Sequence, residues 1–250
     1  MKKLTTAEYT DAERLIRPDQ CGAVYPYSVT EGFQTGDVYL QGNAALIWHQ
    51  CGFAFLCGDY DTGTLSAVYE TFLSPHGNLP RRFVLFADSP EVTAYFSGMP
   101  FLTVEERIFF AYSGHAKDAP ALPDGFRLTE INGALLAQIS GRITPAFSWK
   151  SAEQFLQNGR GFCVLEGDIP AAWSFSAAVS RDEIDIGIET DAAYRQRGLA
   201  KIAAGAAIRY ALEIGKKPVW ACHAGNTASA RLALSLGFAQ TAKCCTIRKT

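Results

Sequence analysis

The sequence turns from a predicted strand into a predicted helix at Ile188-Glu189-Thr190-Asp191-Ala192-Ala193-Tyr194-Arg195-Gln196-Arg197-Gly198-Leu199-Ala200. At such a turn the first backbone N–H groups of the helix have no partner inside it. Free donors and the positive end of the helix dipole favour an anion such as pyrophosphate. Gly198 lacks a Cβ and allows close approach to the backbone, while Arg195 and Arg197 can add charge-assisted contacts. The stretch therefore predicts a phosphate-binding loop.

The segments on both sides of this loop predict alternating strands and helices. Residues 183–190 alternate isoleucines with acidic residues, as expected for a strand with one buried face. A helix is predicted over 198–214, because Gly215 and two lysines follow as a C-terminal stop signal. A strand is predicted over 218–223, and a further helix begins at Asn226 and ends near Gly237.

Two short motifs give this region a resemblance to a known family. Arg195 to Ala200 matches the pattern Gln/Arg-x-x-Gly-x-Gly/Ala, and Asn226-x-x-Ser229 is followed by Leu236-Gly237-Phe238. The chain resembles the GNAT superfamily of N-acetyltransferases, whose acyl-CoA-binding motif has this form. The local sequences around Ile188-Glu189-Thr190 and Pro218-Val219-Trp220 resemble those of a bacterial subgroup that includes zwittermicin-resistance-type acetyltransferases. The resemblance extends from about residue 160 to residue 240.

The fold class that follows is α/β, or α+β, with a mixed central sheet flanked by helices. Upstream of the motif we predict strands over 126–129, 161–166 and 171–178, with helices over 132–139 and 151–158. Together with the motif region, they give the order β-αα-β-β-β-α-β-α-β. The resemblance implies that this order forms one GNAT domain.

The N-terminal half echoes the C-terminal half, which predicts a tandem of two GNAT-like domains. Strands are predicted at residues 51–57 and 82–87, with helices over 64–73 and 89–101. The loop at residues 58–63 contains two aspartates and no arginine, so it would repel pyrophosphate. We expect a degenerate domain over 1–118 and a cofactor-binding domain over 119–250, joined at a Pro- and Gly-rich linker at 114–125. Chance similarity between two β-α-β segments is the alternative.

Composition narrows the classes of partner. The chain has 250 residues, 48% of them hydrophobic, and a formal net charge of -2. From the near-neutral charge we expect no nucleic-acid partner. From the lack of a long apolar segment and of a signal sequence we expect no membrane partner and a cytoplasmic location. We also expect a small-molecule amine as the acceptor, and a homodimer is compatible with the sequence. The seven cysteines are odd in number and irregularly spaced, which favours reduced buried thiols and no metal site.

The resemblance implies acetyl-CoA as co-substrate and transfer of its acetyl group to an amine by direct attack in a ternary complex. It implies that the strand before the loop pairs with the pantetheine arm and that the loop amides bind the pyrophosphate. The cofactor-binding residues expected on this basis are Ile188, Glu189, Thr190, Arg195, Gln196, Arg197, Gly198, Leu199, Ala200, Asn226 and Ser229. For Asn226, an ordinary helix cap is the alternative role.

The catalytic base is sought on the polar face of the strand at 183–190. We rank Glu189 first for its nearness to the cofactor arm, then Asp185 and Glu183; a merely solvated strand face is the alternative. One residue departs from the family pattern. Many members have a tyrosine as general acid in the last helix, and the matching position here is Ala233.

Three functions follow from these observations. The first is an acetyl-CoA-dependent N-acetyltransferase. The second is a non-catalytic protein that binds or senses acyl-CoA, and the reason to consider it is the missing tyrosine at position 233. The third is a scaffold with a vestigial motif, which the intact Arg195 and Gly198 disfavour.

Overall fold

The computed structural model describes residues 1–114 and 120–250, and these residues form twelve β-strands and eight α-helices. The strands are β1 (Lys2–Lys3), β2 (Gly36–Gln41), β3 (Ala44–His49), β4 (Phe53–Gly58), β5 (Val84–Ala87), β6 (Leu102–Tyr112), β7 (Phe126–Glu130), β8 (Gly161–Glu166), β9 (Ile169–Val179), β10 (Glu183–Thr190), β11 (Lys217–His223) and β12 (Phe238–Lys249). The α-helices are α1 (Tyr9–Glu13), α2 (Val24–Thr30), α3 (Thr62–Val68), α4 (Pro90–Phe96), α5 (Gly133–Leu136), α6 (Ala152–Asn158), α7 (Leu199–Glu213) and α8 (Thr227–Ser235).

The chain divides into two compact units. The first comprises Met1–Phe109, Ala221–Gly225 and Ala242–Thr250. The second comprises Phe110–Trp220 and Asn226–Thr241. The predicted boundary between residues 118 and 119 lies outside the described residues, as does most of the first half of the predicted linker.

The second unit contains a mixed sheet in the order β11-β10-β9-β8-β7. The strand pairs are antiparallel except for β10 and β11, which run parallel with α7 as their crossover. Helix α7 covers one face of this sheet, where Leu199 and Ile202 pack on Val164 and Ala172. Aromatic residues fill the other face, where Phe155 of α6 lies edge-on to Phe175 of β9.

The first unit repeats this arrangement with its own residues. Its strand order is β1-β2-β3-β4-β5-β12, in which β4 and β5 are parallel, α3 lies between them in the chain, and Cys245–Arg248 of β12 pair with β5. The core on one face is formed by α3, α4 and the π-helical turn Tyr69–Leu73 against the sheet. The sequence therefore folds as a tandem of two mixed sheets flanked by helices, as expected.

The turn that replaces the phosphate loop in the first unit is closed by its own side chain. Asp61 is the N-cap of α3, and its Oδ1 accepts hydrogen bonds from the backbone N–H of Thr64 at 2.8 Å and from the Thr64 hydroxyl at 2.9 Å. These bonds, the backbone one first, lower the pKa of Asp61, so a negative charge is already in place where an anionic ligand would bind.

Two predicted helices are shorter in the structure. The helix expected over 89–101 begins as predicted, with Ser89 as N-cap and Pro90 at its first position, but it ends at Phe96. Ser97 is extended and Gly98 has φ 83°, so the backbone leaves the helical region before the end of the predicted range. The helix expected over 132–139 has only four α-helical residues, Gly133–Leu136.

A buried histidine ties the end of β3 to the following turn. His49 is fully buried, and its Nδ1 accepts a hydrogen bond from the Cys51 backbone N–H at 3.0 Å. Burial, and secondarily the positive charge of Arg81, lowers the pKa of His49 from 6.5 to about 3. The fold thus holds this ring in its neutral form.

We expect this histidine to make the protein acid-sensitive. The unfolded chain takes up the proton first as the pH falls, so the stabilisation is present above pH 6.5 and is lost progressively as the pH falls from 6.5 towards 3. Asparagine can accept the same hydrogen bond but does not titrate. Between pH 7 and pH 5 the wild type should lose about 2 kcal/mol of unfolding free energy relative to His49→Asn, measured by urea titration. An equal pH dependence for both proteins would contradict this.

Candidate functional site

Strand β10 presents one apolar face and one face that carries acidic residues. Ile184 and Ile186 are buried, and Ile188 packs on the cluster that Leu199 of α7 joins. Because successive side chains of a strand alternate, the acidic residues of β10 lie on the opposite face. Glu189 stands there beside Trp173, its cross-strand neighbour on β9.

The two edges of β10 are paired over different lengths. On one side β10 pairs with β9 as far as Thr190. On the other side its parallel pairing with β11 joins Glu183–Asp185 to Lys217–Val219, and no pairing with β11 beyond Asp185 is formed in the second unit's described residues. The latter half of β10 therefore has an open edge.

The hydrogen bonds to β9 show which residues of β10 face the open edge. Asp191 donates its N–H to the carbonyl of Ala171 at 3.0 Å, and the carbonyl of Gly187 accepts from the Ser174 hydroxyl at 2.9 Å. In an antiparallel pair, residues bonded to the partner alternate with residues that face away from it. The backbone groups of Ile188 and Thr190 consequently face the open edge, where an extended ligand can pair with them as an added strand.

The loop after β10 is held in place by hydrogen bonds of two of its own side chains. Asp191 caps the 3-10 turn Ala192–Tyr194 by accepting the Ala193 N–H at 2.9 Å. The Tyr194 hydroxyl donates to Glu166 at 2.9 Å, and the Arg197 guanidinium lies 5.4 Å from the centre of the Tyr194 ring. The tyrosine thus fixes the loop to β8 and supports one of the two arginines.

The start of α7 is a row of unused hydrogen-bond donors. The backbone N–H groups of residues 196–200 make no hydrogen bond within the described part of the chain, and the first intrahelical bond runs from Lys201 to Gly198 at 3.0 Å. Gln196 has φ 63° and Gly198 has φ 79°, so the chain twice enters the left-handed region. Such conformations turn successive N–H groups towards a common point and create a concave anion site.

The residues predicted at the next helix are engaged with each other. Asn226 is the N-cap of α8, and its Oδ1 accepts the Ser229 N–H at 3.1 Å. The Ser229 hydroxyl accepts the indole N–H of Trp220 at 3.0 Å. Its own proton remains available for a ligand, whereas the Asn226 amide carbonyl already serves as a cap.

The three candidate bases lie apart along β10. Glu183 stands at its start, about 20 Å from Glu189 at the strand rise of roughly 3.3 Å per residue. Asp185 is buried and marks the point where pairing with β11 stops. Glu189 lies beside the open edge, and its Oε2 accepts the backbone N–H of Ile143.

Glu183 has a shifted titration. Burial raises the pKa of its carboxyl, and Asp182 adds to this effect, while Lys217 with its ammonium 3.8 Å away lowers it. The net pKa is raised, which moves this carboxyl towards the range that suits a general base at neutral pH.

Position 233, where many family members have a tyrosine, is closed to solvent. Ala233 of α8 is fully buried and offers no hydroxyl. His223 is bound in the first unit, where its Nε2 lies 3.3 Å from Glu105. Glu105 also binds Arg248 through both carboxylate oxygens.

Sequence reasoning did not identify Gly141 and Ile143, which contact Glu189 and its cross-strand neighbour Trp173. The available signal was the short connection between the strands predicted over 171–178 and 183–190, because strands that follow each other closely in a chain usually lie side by side. Among residues 1–114 and 120–250, no cluster of three or more metal-ligating side chains occurs, and no helix has the length and apolar character needed to cross a bilayer.

Comparisons with known proteins agree with this architecture. The family model described as GNAT acetyltransferase matches residues 19–245. No curated protein matches the chain. A GCN5-related N-acetyltransferase-like protein from Streptococcus suis has a similar structure, with a TM-score of 0.73 and 20% identity over 98% of this chain and 100% of that one.

Two further solved structures are similar over nearly the whole chain. A GCN5-related N-acetyltransferase from Kribbella flavida has a TM-score of 0.63 and 13% identity, covering 98% of this chain and 95% of its own. A tandem GNAT protein from the clavulanic acid biosynthesis pathway has a TM-score of 0.63 and 11% identity, covering 99% and 97%. At these identities the likeness concerns the fold.

Proposed function

The chain belongs to the GNAT acetyltransferase family and has its fold, and on this premise we propose that it is an acetyl-CoA-dependent N-acetyltransferase acting on a primary amine of a small molecule. One observation carries the proposal. Five consecutive unused N–H groups, those of residues 196–200 at the start of α7, follow one short loop after a strand whose edge is open. The first feature fits a pyrophosphate, and the second fits an extended arm.

The cofactor-binding roles are distributed along this path. The N–H groups of residues 196–200 would hold the pyrophosphate, and the exposed cations Arg195 and Arg197 would add charge. The backbone of β10 from Ile188 through Glu189 to Thr190 would bind the pantetheine arm. Asn226 and Ser229 remain proposed contacts, the latter through its hydroxyl proton.

Acetyl-CoA supplies the acetyl group as a thioester. In a ternary complex the amine nitrogen forms a bond to the acetyl carbon, the C–S bond breaks, the amine loses a proton and the leaving sulfur gains one. The open edge of β10 ends at Asp185, so the reacting end of the arm would lie towards the start of the strand. We therefore propose Glu183 as the base, acting directly or through one water, with Asp185 beside it.

The cysteines support direct attack. Six of the seven are buried, and burial is the largest influence that raises the pKa of Cys57 and of Cys163 to about 12. A nucleophilic cysteine needs a thiolate near neutral pH.

The test is a calorimetric titration of the purified protein with acetyl-CoA, followed by a panel of primary amines in which released CoA is quantified by chromatography. We expect micromolar binding and release of CoA that depends on one class of amine. Absence of binding would refute the proposal.

A second function is favoured by one residue. Ala233 is buried where many family members have the tyrosine that protonates the leaving sulfur, so a non-catalytic protein that binds or senses acyl-CoA is the alternative. Tight binding without CoA release across the amine panel would select it. Membership of the zwittermicin-resistance-type subgroup and a cytoplasmic location stay parts of the proposal.

A further inference from the structure

The segment between α5 and the 3-10 turn Pro145–Phe147 is fastened to the sheet at one residue. The backbone N–H of Ile143 donates to Glu189 Oε2, and the backbone carbonyl of Ile143 accepts the indole N–H of Trp173 at 2.8 Å. Glu189 and Trp173 are direct cross-strand neighbours on β10 and β9. Both polar backbone groups of one residue are therefore bound by one pair of adjacent side chains.

Gly141 lies in contact with the same pair. A Cβ built on Gly141 would come 2.6 Å from Glu189 Oε2, 2.9 Å from its Cδ and 3.1 Å from Trp173 Cζ2. Real Cβ atoms essentially never approach another atom closer than 3.0 Å. A side chain at residue 141 would therefore displace the Glu189 carboxylate from its present position.

The fastened segment stands beside the part of β10 to which the cofactor arm is proposed to bind. Glu189 is flanked in β10 by Ile188 and Thr190, whose backbone groups face the open edge. Its side chain is on the face of β10 opposite to α7, so residues 141–143 cover that face beside the arm, at the end of β10 that leads into the phosphate loop. An amine that approaches the arm from this face would meet this segment.

We propose that Glu189 and Trp173 form a clamp that positions Gly141–Ile143 beside the cofactor arm, as a wall of the pocket through which the amine approaches. Glu189 is then a positioning residue, and its carboxylate serves to accept the Ile143 N–H. This inference rests on the proposed function for the identity of the pocket, but the clamp itself is testable without turnover.

The clamp is tested first by hydrogen exchange at the Ile143 amide, followed by mass spectrometry or NMR in the full-length protein. Glu189→Ala removes the acceptor, and exchange should become at least about tenfold faster. Glu189→Gln keeps an oxygen acceptor and should retain most of the protection. Gly141→Ala should accelerate exchange like Glu189→Ala, because the new Cβ displaces the carboxylate. Arg142→Ala is the matched control, since Arg142 is exposed and has no bonded partner among the described residues.

Kinetics then separate the clamp from a base. With an amine from the panel, Glu189→Ala and Gly141→Ala should raise the KM for the amine about tenfold while the Kd for acetyl-CoA stays within about twofold. Glu189→Gln should restore most of this loss and keep the acidic limb of the pH profile. If glutamine is as damaging as alanine and the acidic limb disappears, Glu189 is the base and the proposal is overturned.

The two proposals can fail separately. Unchanged exchange at Ile143 in Glu189→Ala overturns the clamp whatever the activity. Faster exchange in Glu189→Ala and Gly141→Ala, with protection in Glu189→Gln, supports the clamp even in a preparation that releases no CoA with any amine. In that case the acetyltransferase proposal alone fails.

Discussion

Replacing Gly198 with valine should weaken acetyl-CoA binding at least about 100-fold in calorimetric titration. The free protein has room for the side chain, because the nearest atom to an added Cβ is Pro120 Cγ at 3.7 Å. The loss would arise from the ligand, which must approach the N–H groups of residues 196–200 without an intervening side chain. The binding energy of the phosphates depends on that approach.

A glycine at the other end of the same helix provides the control. Gly215 has φ 74°, against 79° for Gly198, and an added Cβ would meet nothing within 4 Å. Valine is strained at both positions by about 1–2 kcal/mol, so the two variants should lose similar stability. Gly215→Val should bind acetyl-CoA within about twofold of the wild type. Equal binding by both variants would show that the start of α7 does not hold the phosphates.

Local patterns predicted the elements that carry the site. The strand predicted over 183–190 is observed with the same ends, and the helix predicted over 198–214 is Leu199–Glu213. The alternation of isoleucine with charged residues and the Gly215 stop are signals contained in a few neighbouring residues. The Ser151 cap was likewise readable, and its side chain accepts the Gln154 N–H at 3.1 Å.

Features that depend on contacts between residues far apart in the chain could not be predicted from the sequence. Glu189 and Ile143 are 46 residues apart, and nothing in the sequence of either segment indicates that one binds the other. The opening of β10 follows from where its pairing with β11 stops, which is a property of two strands. For this reason the sequence ranked the three carboxylates only by their expected nearness to the cofactor arm, whereas the structure gives the burial and the partners of each.

Glu183→Gln should lower kcat at least about 100-fold and remove the acidic limb of the pH profile. Catalysis needs the deprotonated carboxylate, so wild-type activity should fall as the pH drops through a pKa that burial raises above 4.5. Lys217→Met removes the cation that lowers this pKa and should move the limb to higher pH. Both effects are measured from kcat at saturating amine and acetyl-CoA between about pH 4 and about pH 9.

Two controls separate this role from structural damage. Acetyl-CoA binding should stay within about twofold of the wild type in Glu183→Gln, because the phosphate loop lies at the far end of β10. Glu189→Gln should keep the acidic limb, since its carboxylate is assigned to Ile143. A Glu183→Gln enzyme with wild-type kcat and profile would exclude Glu183 and transfer the role of base to Asp185, whose carboxylate is buried at the point where β10 separates from β11. Lys217→Met adds to this comparison, because the Lys217 ammonium lies 3.8 Å from the Glu183 carboxylate.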